Sequence, residues 1–136
     1  MNRRLATLAA AVVIVACSRS DVLFAPGSSL PSGEWGADRV QFVTSDSVTE
    51  VVYYCVGGTF AGDIVPDASG HFTVNGRFAP YFGPFSRDMP AQMSGQVDGK
   101  TLTFAVAVND TINQKVISIG PATVQFGQHA NIIVCP

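Results

Sequence analysis

His71 and His129 are the two histidines of the chain, and neither stands at ligand spacing from a partner. No His-x-His, His-Glu-x-x-His or Cys-x-x-Cys run occurs. Zinc needs such nitrogen and sulfur ligands to converge, so the sequence predicts no metal centre and no cofactor. A hydrolase is the enzyme class left open. Serine, histidine and aspartate are present, but the Gly-x-Ser-x-Gly elbow that exposes a nucleophilic serine is not. Asp63, Asp67 and Ser69 are oxygen ligands of the kind calcium takes, without the full acidic loop of an EF-hand. Pro66 and Gly70 lie among them, and the segment reads as a turn. Asn109-Asp110-Thr111 matches a glycosylation acceptor, and turn formation explains it equally well. The expectation is a protein that binds rather than catalyses.

The candidate contact surface is Arg77, Phe78, Tyr81, Phe82, Phe85, Arg87, Met89 and Met93. These residues crowd into one segment interrupted by proline and glycine. Aromatic and methionine side chains on irregular backbone make adaptable contacts. At a barrel mouth they would line a pocket for a small apolar ligand. The same residues also fit a broken strand whose aromatics cap the core.

The elements that position this segment read as strands and turns. Val40, Phe42 and Thr44 alternate with their neighbours. Val48 to Val56 follows, with Thr49, Val51, Tyr53 and Cys55 on one face. Gly57-Gly58 reads as a reversal before a strand over Thr59 to Val65, and Asn75-Gly76 reads as a hairpin turn after His71 to Val74. Ala91 to Val97 and Lys100 to Val108 flank Asp98-Gly99, the clearest hairpin signal. Gly120-Pro121 separates Lys115 to Ile119 from Ala122 to Phe126, and Asn131 to Cys135 closes the chain as a last strand. About eight strands with turns every 8 to 12 residues predict an all-β domain. Sequential hairpins favour an antiparallel up-and-down barrel, with a β-sandwich as the alternative.

With 136 residues the chain has room for one domain. Charged residues make up only 13%, and Arg19, Arg39, Arg77, Arg87, Lys100 and Lys115 are scattered in sequence. Without a basic cluster to displace counterions, nucleic acid is excluded as a partner. Arg3 and Arg4 followed by the apolar run Leu5 to Ala16 have the anatomy of a secretory signal. The formal charge of the whole chain is −2, and loss of Arg3 and Arg4 with the leader makes the remainder more negative. Residues 18–32 hold Pro, Gly and Ser with no sustained period, as a flexible tether does. Such a coil holds a domain roughly 20 Å from its attachment point. Val22-Leu23-Phe24 is an apolar island within it.

Ile14-Val15-Ala16-Cys17 resembles a bacterial lipobox. The resemblance implies a signal peptide over 1–16 and a lipidated tether over 17–32, with Cys17 as the lipid-bearing N-terminus. A single β domain over 33–136 follows it. With Cys17 assigned to lipid, Cys55 and Cys135 remain as an even pair, which in an exported protein reads as a disulfide. A reactive or metal-binding cysteine is the rival reading.

Gly33-Glu34-Trp35 resembles the opening of calycin-type barrels, the group of lipocalins, avidins and bacterial metalloprotease inhibitors. That likeness implies eight strands with Trp35 plugging one end. Gly33 to Gly36, Tyr54-Cys55, Gly58-Thr59, Ser94 to Gly99 and Cys135 together resemble small uncharacterised bacterial lipoproteins, which brings no activity. Val52 to Phe60 resembles the corresponding strand of lipoprotein inhibitors of C-type lysozyme. The resulting expectation is a non-enzymatic, lipid-anchored envelope domain, held at the membrane through Cys17 and facing the periplasm or cell surface. It would bind an envelope protein or a small apolar ligand. A protease or lysozyme inhibitor and a structural envelope lipoprotein are the alternatives.

Overall fold

Alternating apolar and polar residues fix each strand's inner face, and short turns order the strands in sequence. The computed structural model describes residues 27–133 and 135. The leader, Cys17 and Val22 to Phe24 lie outside the described residues. The strands are β1 (Gly33–Ala37), β2 (Val40–Thr44), β3 (Val48–Tyr53), β4 (Val56–Ala61), β5 (His71–Ala79), β6 (Met89–Asp98), β7 (Thr101–Asp110) and β8 (Lys115–Phe126). A short 3-10 turn covers Gly83–Phe85. Each strand pairs antiparallel with the next. β1 meets β8 at Trp35↔Phe126 and Gly36↔Gln125, which closes the barrel. The fold is therefore an all-β up-and-down barrel and not a sandwich.

β7 shows the pattern most simply. Leu102, Phe104, Val106 and Val108 point inward and are buried, while Thr103, Ala107 and Asn109 between them are exposed. Trp35, Phe42, Phe78, Met89, Met93 and Phe104 fill the interior. Each such side chain contributes roughly 1.5–3 kcal/mol by leaving water. Trp35 packs edge-on against Phe126 at the barrel end where β1 begins. Outward positions on β6 include Gln92, Ser94 and Gln96, all exposed. Apolar-in and polar-out is the reverse of a lipid-facing membrane barrel.

Several glycines do a different job from the turns read in the sequence. Asn75 and Gly76 lie inside β5, paired with Gln92 and Ala91. A Cβ on Gly76 would sit 2.3 Å from the Thr59 carbonyl oxygen and 2.5 Å from the Phe60 ring, so only glycine lets β4 approach β5 there. Gly57 and Gly58 likewise lie within β4, and the reversal before them falls on Tyr54-Cys55, with Tyr54 at φ 57°. Asp98 pairs with Thr101, so the turn residues there are Gly99 and Lys100. Gly120-Pro121 does not divide β8. Phe104 pairs with Ala122 and Val106 with Ile119, so the glycine and proline occupy a β-bulge in one continuous strand.

The described segments that flank the strands fasten to the barrel. Leu30 is buried, its N–H donates to the Ile64 carbonyl at 2.8 Å, and Ser29 hydrogen-bonds Asp63. The folded unit thus begins upstream of Gly33, within the predicted tether. After Phe126 the chain crosses Gly36, where an added Cβ would meet the Gln128 carbonyl oxygen at 2.2 Å. It then bridges to Asp38 at Asn131, residues 132–133 of the predicted last strand are not in a strand, and Cys135 forms the disulfide with Cys55, Cα atoms 5.8 Å apart. Cys55 is exposed in the β3–β4 turn rather than on the buried face of β3. The disulfide therefore pins a strap across β1 and toward the β3–β4 turn, while β1 and β8 close the barrel themselves.

Candidate functional site

Up-and-down topology sends alternate loops to opposite ends. One end receives the Asp38-Arg39 and Tyr54-Cys55 turns and the loops 80–88 and 111–114. The other receives residues 27–32, the β2–β3 turn, residues 62–70 and the β6–β7 turn. Large exposed apolar side chains are distributed unequally between them. Tyr54, Phe82, Phe85, Ile112, Val116 and Ile133 are at the first end, and Val65 alone is at the second, among the described residues. Phe85 is 78% exposed and Ile112 56%. Phe82, Phe85, Ile112, Tyr81 and Asn113 together surround an open depression of about 400 Å³.

A polar network beneath the apolar tips holds them in place. Asp110 shares the inward parity of Leu102 to Val108 on β7, which places its carboxylate, fully buried, at the barrel mouth. Oδ1 accepts the N–H groups of Ile112 and Asn113, each at 3.0 Å. Oδ2 accepts the Tyr81 hydroxyl at 2.6 Å and the Asn113 amide at 2.7 Å. The Tyr81 bond and the Asn113 amide hold the Asp110 carboxyl well below the usual aspartate range. The same bond to a carboxylate, with burial, raises the Tyr81 phenol above its usual value. Tyr81 belongs to the loop 80–88, whereas Asp110 ends β7, so one carboxylate joins both loops.

The predicted contact residues divide into two groups. Phe78, Met89 and Met93 are buried core residues, which corrects their assignment to a binding surface. Phe78 keeps phase with Phe72 in β5, while Met89 and Met93 keep phase with Val97 in β6. Pro80 lies just beyond β5 and does not break that alternation. Tyr81 braces, and Phe82 and Phe85 protrude. Arg77 and Arg87 are exposed at the same end, where Arg77 donates to the Asp88 carbonyl at 2.6 Å. The sequence reading takes Asp110 only as a turn residue and does not single out Ile112. For Asp110 the inward parity of β7 was the available signal.

The remaining chemistry-bearing residues serve as structural ties. Asp67 accepts the N–H groups of Ser69 and His71 and so builds a turn. His129 contacts Glu34 at 2.7 Å in the strap. Glu34 also accepts the Ala130 N–H at 3.0 Å and the Gln41 amide at 2.9 Å. These bonds, led by the Ala130 N–H, lower its carboxyl to about 2. Among the described residues no three His, Cys, Asp or Glu side chains are grouped to hold a metal ion. No helix among them is long and apolar enough to cross a membrane. No family model, curated protein or solved structure matches the chain.

Proposed function

We propose that this chain is a non-enzymatic, lipid-anchored binding domain of the bacterial cell envelope, with Phe82, Phe85 and Ile112 as its contact tip. One observation carries the reading. The exposed apolar side chains gather at one end, on loops braced by Asp110, while the barrel interior is filled by Phe78, Met89 and Met93. A filled interior weighs against a small ligand carried inside the barrel, and a braced apolar tip suits contact with an external surface. The lipobox-like Ile14 to Cys17 supports the anchor, and the polar outer wall suits a domain standing in water.

Two measurements test it. Labelled fatty acid should enter the parent protein and not Cys17→Ala; an unlabelled parent overturns the anchor. Maleimide should label Phe85→Cys more slowly in intact envelopes than in purified protein, while Val65→Cys labels alike in both. Equal rates at position 85 overturn the contact tip.

A further inference from the structure

The cations that are scattered in sequence are not scattered in space. Arg39, Arg77, Arg87 and Lys115 all lie exposed at the end that carries Phe82, Phe85 and Ile112. Asp38 and Asp88 accompany them, and Asp110 is buried beneath. The opposite end carries exposed Asp46, Asp63, Asp67 and Asp98, with Lys100 as its basic residue among those described. The surface of the first end thus carries four cations against two carboxylates, with Asp110 buried below, and the other end four carboxylates against one cation, so the barrel has a charge gradient along its axis.

From this we infer that the loop end docks on an anionic lipid surface, with Phe82, Phe85 and Ile112 entering the headgroup layer and Arg77, Arg87 and Lys115 facing lipid phosphates. The inference rests on the contact tip proposed above and names what it touches. Aromatic and aliphatic tips backed by Lys and Arg match the interfacial layer, where apolar groups find hydrocarbon and cations find phosphate. The acidic end would be repelled by the same surface, so the field of the whole domain favours one orientation. The Asp110 brace keeps the tips presented, which lowers the ordering cost of insertion. Chain length allows the geometry. The ten residues from Cys17 to Gly27 span at most about 35 Å. That matches the roughly 33 Å length of a ten-residue strand such as β6. Fully extended, the tether is thus just long enough for an anchor attached at the acidic end to lie in the bilayer that the basic end touches.

The experiment places a tryptophan at the tip. The full lipid-bearing protein, as Phe85→Trp and separately as Ile112→Trp, is reconstituted into phosphatidylethanolamine–phosphatidylglycerol vesicles containing brominated acyl chains. Buried Trp35 supplies the unchanged reference signal. The expected result is loss of about half the added emission at positions 85 and 112, none for Val65→Trp, and a weaker loss in phosphatidylcholine vesicles. The charge-reversed pair Arg87→Glu with Lys115→Glu should reduce the quenching severalfold. Tip tryptophans quenched no more than Val65→Trp overturn lipid docking. If a photoreactive group at position 85 nonetheless captures a protein, the tip is a protein contact and only the lipid assignment fails. If it captures neither lipid nor protein, the contact tip fails with it.

Discussion

The Tyr81 hydroxyl donates to the Asp110 carboxylate at 2.6 Å, and this bond joins the two loops that carry Phe82, Phe85 and Ile112. Removing the carboxylate leaves the Tyr81 hydroxyl and two backbone N–H groups without their acceptor, and the Asn113 amide with only the Tyr81 hydroxyl at 3.3 Å. Asp110→Ala should therefore lower the melting midpoint more than Tyr81→Phe, which removes one donor. Amide exchange of residues 80–88 and 111–114 should accelerate by about tenfold or more in Asp110→Ala, with the β6–β7 hairpin unchanged. Equal exchange in parent and variant would show that the loops are held by something else.

The pair also sets an alkaline limit. The Tyr81 phenol is raised above its ordinary 10.0, so the folded state holds that proton more tightly than the unfolded chain. Its contribution is complete below pH 10 and is lost as pH rises through the raised value. Tyrosinate absorbance should show one phenol titrating late, together with loosening of residues 80–88, and Tyr81→Phe should abolish that late step.

Glu34 sets the corresponding limit in acid for the C-terminal strap. Its carboxyl is lowered from 4.5 to about 2, chiefly by the Ala130 N–H. The stabilisation is complete above pH 4.5 and is lost as pH falls toward 2. The protection of the Ala130 amide, corrected for the intrinsic pH dependence of exchange, should fall across that window in the parent. In Glu34→Gln that protection should already be reduced at neutral pH and show no further fall in acid. A parent strap indifferent between pH 5 and 2 would remove Glu34 from this role.

Phe78 and Phe85 are close in sequence and opposite in role. Phe78 is fully buried, so Phe78→Ala should cost about 3–5 kcal/mol in denaturant unfolding. Phe85 is 78% exposed, so Phe85→Ala should change stability by less than about 0.5 kcal/mol. The second substitution should impair contact with the envelope while the first impairs folding.

The disulfide closes a loop of 80 residues. Chain entropy puts its contribution at up to about 4–5 kcal/mol, which Cys55→Ser with Cys135→Ser should lose in denaturant unfolding. The barrel closes through β1 and β8 without it, so the reduced protein should keep its β signature and show fast exchange in the strap alone. Loss of all β structure on reduction would contradict that separation.

Much of this was legible from period two alone. The alternating faces of β2 and β7 and the existence of the β6–β7 hairpin follow from alternation and turn chemistry. Gly57, Gly58 and Gly76 were misread because glycine serves a turn and a close strand approach equally well. Only the neighbour across the sheet, such as Phe60 against Gly76, decides between them. Pro80 and Gly83 suggest a broken segment and hide the inward roles of Phe78, Met89 and Met93, whereas strand parity runs unbroken to Ala79 in β5 and resumes at Met89 in β6. The basic end is invisible in sequence, because its four cations come from three parts of the chain, the β1–β2 turn, the segment 77–87 and the start of β8, and meet only through the up-and-down order.

The central claim is that the apolar end of the barrel is where this domain meets its surroundings. A photoreactive phenylalanine analogue at position 85 in living cells tests it most directly, with the same group at position 65 as the opposite-end control. The account predicts a covalent adduct from position 85 and none from position 65. Adducts at equal yield from both positions, or from position 65 alone, would contradict it.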